Sequence, residues 1–515
     1  MKKTIYTLLL GCLFFGLVSC NDFLDEVPDN RTEIQTKEDV KNLLVSAYPD
    51  ASYFYLCEMA SDNTDESEGS AWEFDVLQRE AFSWNKITDV GLDSPYHVWQ
   101  DCYIAISSAN VAIEFIENSN DPESMRAQMG EALLCRAYSH FILVNLFAKH
   151  YGSTSDVDMG IPYITKPETT VNPQHERGTV AKVYEHIVAD ITKGIPLLDN
   201  NSYVIPKYHF NKNAAYAFAA RVYLYLGEMG EVIEYANKVL GVGTPSKLRD
   251  WAYAGSLGVN YDFQTNEYIN VDNQASLLNV TSSSSWGYIH GPYTLGRRYT
   301  HTDMISLLET VESLTPWGNM ANPAFVNQGT FKNPSVNKVI IRKVGYYYKS
   351  LDPIAGTGFN YIVNVPFTTD ELLLCRAEAY IRTQKYDKAV EDLNAFMMNY
   401  TKGTAISLDE ISSFYEKMDF YTPTQPTPKK KINPDFTIES GTQENLTHCL
   451  LHLRRILTIH EGLRWFDIKR YGIEIYRRKI SNEIIQTDFL PADDLRRVFQ
   501  IPADVISGGL EPNPR

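Results

Sequence analysis

The stretch EALLCRAYSHFILVNLF (residues 131–147) contains a five-residue pattern, LLCRA at 133–137, that returns unchanged at 373–377. A looser copy, FAARV, lies at 218–222. Apolar and small residues recur at helical spacing around each copy, which predicts amphipathic helices that approach one another closely. We interpret the repeated part as packing core rather than as a set of polar functional groups, and we expect about four helix pairs stacked as an α-solenoid.

The helical period covers residues 98–240 and returns at 368–400, whereas residues 58–96 and 241–366 are irregular, with short β-like runs in 241–366. Capping boxes are expected at Thr36–Asp39 and Thr368–Glu371. We therefore predict a mostly α fold, with about four tetratricopeptide-like helix pairs packed against a loop-rich half with a few short strands. One continuous helix is expected from about 447 to 470, and an exposed loop tip at Lys429-Lys430-Lys431.

Composition excludes several classes of protein. The 515 residues carry a formal net charge of −17, which argues against nucleic-acid binding, because phosphate contacts need clustered Lys and Arg. Apolar residues make up 44% and charged residues 22%, as in globular proteins, so wholesale disorder is excluded. Tyr is abundant, with 33 residues, and part of it is expected at the surface because its hydroxyl needs a polar partner.

The N-terminus is expected to be a targeting segment. Lys2 and Lys3 precede an apolar stretch at 8–18, and Leu17-Val18-Ser19-Cys20 resembles a bacterial lipobox. The resemblance implies a signal peptide at 1–19, lipidation of Cys20 and a tether at 20–35, followed by a single unit at 36–515. An ordinary cleaved signal with a chance cysteine is the alternative.

No catalytic signature is present in the sequence. His460-Glu461 starts like a zinc-protease motif, but Arg464 stands where HExxH requires histidine. The seven Cys form no CxxC, and Cys102, Cys135 and Cys375 are expected to be small buried hydrophobes. Neither a cofactor nor a metal-ligand set is predicted, although acid-rich loops can bind Ca²⁺ without an EF-hand pattern.

Several segments in order resemble the SusD/RagB family of outer-membrane nutrient-binding lipoproteins of Bacteroidetes. They include CNDFLD (20–25), WQDCYIAISSAN (99–110), residues 131–147 and, above all, HEGLRWFDIKRYG (460–472). The resemblance implies a lipid-anchored, surface-exposed protein of the outer membrane that is not an enzyme. It would bind an oligosaccharide, or sometimes a peptide, and deliver it to a SusC-like TonB-dependent transporter.

The family has no fixed ligand motif, so candidate residues follow from physics. A sugar ring packs its C–H groups on an aromatic face, and its hydroxyls need hydrogen bonds, so exposed loop aromatics with polar companions are expected. The candidate ligand-binding residues are Trp72, Trp84, Trp286, Tyr288, Tyr293, Trp317, Asp65 and Arg297, with Asp62, Asn85 and Arg298 as further polar companions. Trp99 and Trp465 are expected in the core, and Arg136, Arg376, Arg454 and Arg464 in structural ion pairs.

Two other functions stay open at this point. A surface polysaccharide-degrading enzyme would use Asp62, Asp65 and Glu66 as an acid pair, since two carboxyls about 5–10 Å apart would serve. A peptide-binding or scaffold lipoprotein of the same kind of uptake complex would bind the transporter without a saturable glycan site.

Overall fold

The structure is a computed structural model that describes residues 34–67, 75–168, 175–257, 260–293, 296–318, 330–400, 403–481 and 483–515. The chain divides into two compact units, Met1–Val40 and Lys41–Arg515. In the first unit, Thr36 and Asp39 form the expected capping box. The Asp39 amide donates to Thr36 Oγ1 at 3.2 Å, and the Thr36 amide donates to Asp39 Oδ2 at 2.8 Å. The contacts described next all belong to the second unit.

The described residues form α-helices and short strands, numbered here in chain order. The helices are α1 (Lys37–Val45), α2 (Phe54–Ala60), α3 (Val76–Phe82), α4 (Pro95–Asn118), α5 (Arg126–Phe147), α6 (Val180–Gly194), α7 (Lys212–Leu226), α8 (Met229–Leu240), α9 (Trp251–Ser256), α10 (Tyr261–Tyr268), α11 (Trp286–His290), α12 (Asp303–Glu309), α13 (Thr369–Arg382), α14 (Tyr386–Met397), α15 (Leu408–Lys417), α16 (Thr442–Leu457), α17 (Leu463–Arg470) and α18 (Ala503–Ser507). The strands are β1 (Asp65–Ser67), β2 (Ser276–Ser283), β3 (Tyr299–Thr300), β4 (Thr330–Asn333), β5 (Lys338–Ile341), β6 (Tyr347–Asp352), β7 (Thr357–Thr368), β8 (Ile475–Ile480) and β9 (Ile484–Leu490).

Helical hairpins form the repetitive part of the fold. α4 pairs with α5, α7 with α8, α13 with α14, and α15 with α16. α6 packs on α5, and α13 also packs on α8 and α16, so neighbouring hairpins share faces. The predicted fold class is confirmed. No helix among the described residues combines the length and the apolarity needed to cross a bilayer.

The first copy of the repeated pattern carries a polar clamp. Arg136, on α5, donates from Nε and Nη2 to the carboxylate of Asp190 on α6, at 2.8 and 2.7 Å. Its Nη1 donates to Asn110 Oδ1 on α4 at 2.8 Å. One guanidinium therefore ties three helices together.

The second copy repeats this clamp. Arg376, on α13, makes the same paired contacts with Asp392 on α14, at 2.8 and 2.7 Å, and its Nη1 donates to Asn237 Oδ1 on α8 at 2.8 Å. The structural ion pairs predicted for Arg136 and Arg376 are confirmed, and a buried Arg–Asp–Asn arrangement repeats as part of the packing core. A bidentate guanidinium–carboxylate pair fixes geometry as well as adding energy, which sets the spacing of the three helices.

Three small sheets complete the described part of the second unit. Their strand orders are β3-β1-β8-β9, β2-β7-β6 and β4-β5. β1 is antiparallel to β3 and parallel to β8, with Glu66 paired to both Tyr299 and Lys479. The C-terminal hairpin β8–β9 thereby meets the segment that follows α2. The five described cysteines, Cys57, Cys102, Cys135, Cys375 and Cys449, are all buried and free, as expected for the three named above.

Two local expectations were wrong. The single helix at 447–470 is broken into α16 and α17, because His460 and Gly462 take positive φ values of 69° and 73°. The lysine run is not an exposed tip: Lys429 and Lys430 are buried, and only Lys431 is exposed. Lys430 donates from Nζ to Glu309 at 2.6 Å, a partner that lies far away in the sequence.

Candidate functional site

Three tyrosines of the loop-rich part, Tyr288, Tyr293 and Tyr346, form the candidate binding surface, named here the tyrosine surface. The ring centroid of Tyr288 lies 4.9 Å from that of Tyr293 and 5.1 Å from that of Tyr346, and the other two are 5.9 Å apart. Tyr293 is 37% exposed, and the other two are half-buried. Partly exposed rings with polar hydroxyls can pack on a sugar ring and hydrogen-bond its hydroxyls.

Trp286 anchors the short helix α11, which carries Tyr288. Its side chain is buried, its ring stacks on Tyr55 at 5.2 Å, and its indole N–H donates to the His460 carbonyl at 2.9 Å. A helix of one or two turns has little stability of its own, so such tertiary contacts must hold it. Tyr288 stands two positions later, and residues at that spacing do not share a helix face. The tryptophan therefore faces the core while the tyrosine lines the surface.

A close backbone contact brings Tyr346 beside Tyr288. A Cβ atom at Gly287 would lie 2.2 Å from the carbonyl oxygen of Gly345, and one at Gly345 would lie 2.8 Å from the hydroxyl of Tyr347. Real Cβ atoms do not approach backbone so closely, so Gly287 must be glycine, whereas a side chain at Gly345 would displace the Tyr347 ring. The pair of glycines lets the 342–346 turn rest directly against α11.

Lys338 holds the turn that connects Tyr288 to Tyr293. Its Nζ donates to the carbonyls of Ile289, Gly291 and Tyr293, at 2.6, 3.3 and 3.1 Å. Burial lowers the pKa of Lys338 to about 7. Three carbonyls bonded to one buried amine fix the path of this turn, and with it the positions of both rings.

Glu461 connects the segment between α16 and α17 to helix α10 and to the 342–346 turn that carries Tyr346. Its carboxylate accepts from Tyr268 Oη, on α10, at 2.5 Å, and from Lys343 Nζ, in the 342–346 turn, at 2.9 Å. Lys343 is nearly fully buried. Since the His460 carbonyl holds Trp286 and Glu461 holds Lys343, residues 460 and 461 support the two segments that carry Tyr288 and Tyr346.

Polar groups lie beside the rings. Tyr347 donates from Oη to Asn266 Oδ1 at 2.8 Å, and its ring stacks on Tyr361 at 5.3 Å. Partial burial and the nearby carboxylate of Asp262 raise the pKa of Tyr293. Both Asn266 and Asp262 are exposed. Amide and carboxylate oxygens next to aromatic rings are the groups that sugar hydroxyls need.

The expectation of exposed tryptophan faces is corrected by the structure. Trp84, Trp286 and Trp317 are 7, 2 and 6% exposed, and each indole N–H donates to an internal acceptor at 2.9 Å. The Arg477 guanidinium also lies 4.1 Å from the centroid of the Trp84 ring. Large rings in loops were buried because the loops fold back over the core. Trp72 lies outside the described residues.

Asp65 and Asp62 are also buried, which corrects their expected place among ligand-facing groups. Asp65 accepts from Arg478 Nε and Nη2 at 2.9 and 2.8 Å, and Asp62 accepts from Arg464 in the same way at 2.8 Å for both bonds. Neither carboxylate presents itself to solvent. The ion pair predicted for Arg464 is confirmed.

Glu309 completes this buried charge cluster. It accepts from Arg455 at 2.9 Å, from Arg478 at 2.7 Å and from Lys430 at 2.6 Å. Burial alone would raise the pKa of Glu309, but Lys430, Arg478 and Arg455 outweigh it and lower the value to about 2. The cluster joins five separate segments of the chain and is structural, because each of its three carboxylates is bonded to buried cationic side chains.

The other polar candidates are scattered. Arg297 is half-buried, and Arg298 pairs with Glu66 at 2.8 Å. Asn85 is exposed. Cys20 lies outside the described residues.

The structure thus brings together two predicted residues, Tyr288 and Tyr293, and adds others that the sequence reasoning missed. Tyr346 belongs to the run Gly345-Tyr346-Tyr347-Tyr348, a tyrosine-rich stretch in the irregular region that could have been noticed. Lys338 and Glu461 act through buried contacts with distant segments, and no local pattern indicates them.

Comparisons with known proteins agree with this architecture. A family model described as "SusD-like_3: Starch-binding associating with outer membrane" matches residues 22–224. SusD-like protein P2 of Formosa agariphila is 29% identical over 457 residues, which cover 80% of this chain and 78% of that protein. SusD-like protein P38 of the same organism is 27% identical over 251 residues, covering 46% of this chain and 45% of that protein.

A solved structure extends the agreement to the fold. A SusD superfamily protein from Bacteroides thetaiotaomicron aligns with a TM-score of 0.66 and 19% identity, covering 93% of this chain and 100% of that one. At this identity the likeness concerns the fold. The family model matches residues 22–224, P2 aligns along most of the chain, and the fold agrees over nearly all of it, so the chain is similar in sequence to SusD-like proteins and has the fold of the SusD superfamily structures.

Proposed function

We propose that this protein is a non-catalytic surface lipoprotein that captures oligosaccharides and delivers them to a SusC-like TonB-dependent transporter. The observation that carries the proposal is the tyrosine surface, in which Tyr288, Tyr293 and Tyr346 offer partly exposed rings on a buried, hydrogen-bonded base. A rigid base lowers the entropy lost when a ligand binds. The family description, starch-binding and associated with the outer membrane, supports the same class of ligand.

The carboxylates argue against a hydrolase. A glycosidase needs two carboxyl groups that reach the scissile bond from either side. Asp62 and Asp65 instead accept hydrogen bonds from Arg464 and Arg478 in the interior, through both oxygens of each carboxylate. Glu66, the third acid considered from the sequence, pairs with Arg298 at 2.8 Å, so none of the three is left free as an acid pair for that chemistry.

Anchoring through Cys20 is part of the proposal. A thioether-linked diacylglycerol plus an N-terminal acyl chain would hold the protein stably, whereas one chain binds a membrane only marginally. Mass spectrometry of the N-terminal peptide from membrane-extracted protein tests this. A peptide starting at lipidated Cys20 is expected, and an unmodified Cys20 would contradict the anchor.

Capture is tested by affinity gels and calorimetry on the purified full chain against plant, host and microbial glycans, with product analysis. Tyr288→Ala and Tyr346→Ala are each expected to weaken the best ligand about 2- to 12-fold, the worth of an aromatic contact of about 0.5–1.5 kcal/mol. Tyr348→Ala is the matched control, because Tyr348 is 50% exposed but makes no ring contact with the three tyrosines in the described structure. Unchanged binding in both variants, or product formation, would refute capture at this surface.

Delivery needs a separate test. The lipidated chain, expressed together with a SusC-like transporter from the same organism, is expected to co-purify with that transporter from detergent-solubilised membranes. Recovery of the chain alone, under conditions that retain glycan binding, would separate capture from delivery and remove the transporter from the proposal.

A further inference from the structure

A second cavity lies away from the tyrosine surface and is named here the lateral pocket. It has a volume of about 780 Å³ and lies between Asp101 and Ile104 of α4, Tyr208 and His209, strand β2 from Asn279 to Thr281, and Lys349 of β6. Ligand sites commonly have volumes of about 300–1,000 Å³. No tyrosine of the tyrosine surface lines it.

A buried carboxylate fixes one wall of the lateral pocket. Glu131, whose side chain is fully buried, accepts from Tyr48 Oη at 2.7 Å, from His209 Nδ1 at 2.8 Å, and from Tyr203 Oη. Tyr48 Oη accepts in turn from the Phe210 amide at 2.6 Å. Tyr48 and His209 both line the pocket, so the wall is held in one arrangement before any ligand arrives.

One buried polar atom of the lining lacks a partner. Asn279 is 2% exposed, and its Nδ2 donates to the Ile269 carbonyl at 2.6 Å. Its Oδ1 accepts no hydrogen bond from any part of the chain that the structure describes. A buried acceptor left without a donor costs about 1–3 kcal/mol. Because this oxygen is closed off from solvent, a ligand in the pocket would not reach it, and the bond to Ile269 is what holds Asn279 in the wall.

The rim of the pocket is mixed in chemistry. Tyr208 and Ile104 are 43 and 57% exposed and offer an aromatic and an aliphatic face. Asp101 contributes a carboxylate and Lys349 an ammonium group. The Asp101 carboxylate would repel an anionic ligand, and the Lys349 ammonium group would repel a cationic one. A hydroxyl group both donates and accepts hydrogen bonds, so it can bond either side chain.

We infer that the lateral pocket is a second saccharide site, which takes a short neutral oligosaccharide. The sugar hydroxyls bond the charged rim formed by Asp101 and Lys349, while a C–H face of a sugar ring packs on Tyr208. The site is independent of the tyrosine surface, because none of its lining residues belongs to that surface.

The test is calorimetry and saturation-transfer NMR on the purified full chain, with maltotriose, cellotriose, xylotriose and mannotriose as probes. We expect at least one probe to bind after Tyr346→Ala has weakened the tyrosine surface. That remaining binding is expected to fall about fivefold with Tyr208→Ala. It is expected to be abolished by Thr281→Trp, which fills the pocket from an exposed strand position. Val204→Ala, at a 99% exposed position of the neighbouring loop outside this pocket, is the control and should bind as wild type.

The outcomes separate the two sites. If no probe binds once Tyr346 and Tyr288 are both alanine, or if the binding that remains is unchanged by Tyr208→Ala and Thr281→Trp, the lateral pocket is not a saccharide site. If binding is lost only with the pocket variants, the lateral pocket is a saccharide site and the proposal that the tyrosine surface binds saccharide is refuted. Because Tyr208 is exposed, its variant keeps the test valid should Thr281→Trp fail to fold.

Discussion

Replacing Gly287 by alanine should disturb both the fold and the tyrosine surface. The new Cβ would lie 2.2 Å from the Gly345 carbonyl oxygen and 3.0 Å from the Tyr346 Cα. An ordinary carbon–oxygen contact is about 3.3 Å, so α11 and the 342–346 turn must separate by about 1 Å. Both sides of the contact are backbone, and no flexible side chain can rotate away to relieve it.

The magnitude follows from this geometry. Overpacking of a tight contact costs about 1–3 kcal/mol, and a rigid backbone neighbour places Gly287→Ala in the upper half of that range. The same separation moves Tyr346 away from Tyr288, whose ring centroids are 5.1 Å apart. A ligand that uses both rings would then lose one aromatic contact, and its affinity would fall by about 2- to 12-fold.

Urea unfolding and glycan calorimetry measure the two effects. Gly230→Ala is the matched control, because a Cβ at this helical glycine meets nothing within 4 Å, and it should stabilise the protein by up to about 1 kcal/mol. A Gly287→Ala protein with wild-type stability and wild-type affinity would refute the close-contact account of how the tyrosine surface is assembled.

Three further predictions concern other parts of the molecule. Arg376→Lys should lower the free energy of unfolding in urea by about 1–3 kcal/mol, because lysine cannot make the bidentate contact with Asp392; an unchanged midpoint would contradict the clamp. Glu309 has a pKa lowered from 4.5 to about 2, because the surrounding cations outweigh burial, so its stabilising contribution is complete above pH 4.5 and lost as the pH falls towards 2. The stability difference between wild type and Glu309→Gln should therefore shrink over that pH interval, and a constant difference in urea titrations would refute the assignment. Trp317→Ala should cost about 3–5 kcal/mol of stability and leave glycan affinity unchanged, whereas Tyr288→Ala should do the reverse; parallel losses would show that the two rings do not divide these roles.

The helical hairpins were predictable because their information is local. Apolar and small residues at a period of 3.6 mark each helix, and the LLCRA copies mark two of the clamped positions. What each arginine binds was not predictable in detail, because Asp190 lies on another helix and Asp392 follows a turn. The Arg–Asp–Asn contacts depend on how the helices stack, and the spacing of residues within one helix does not predict which helices are neighbours.

The sequence predicted which region of the chain holds the candidate site, but not which aromatic residues of that region are exposed. Exposed aromatics were expected in the loops, and Tyr288 and Tyr293 do lie together, yet Trp286 two positions earlier is buried. Which of two nearby rings faces solvent depends on the His460 carbonyl that accepts the indole N–H, and that partner is 174 positions away. The prediction that Lys430 is exposed was wrong for the same reason, because its partner Glu309 is 121 positions away and no local pattern indicates it.

Capture at the tyrosine surface is best checked by a structure of the full chain bound to its best oligosaccharide ligand. We expect a sugar ring packed on Tyr288 or Tyr346, with hydroxyls bonded to polar groups such as Asp262, whose carboxylate lies near Tyr293, and with the glycosidic bonds intact. A saccharide bound elsewhere, with the three tyrosines uncovered, would contradict this expectation.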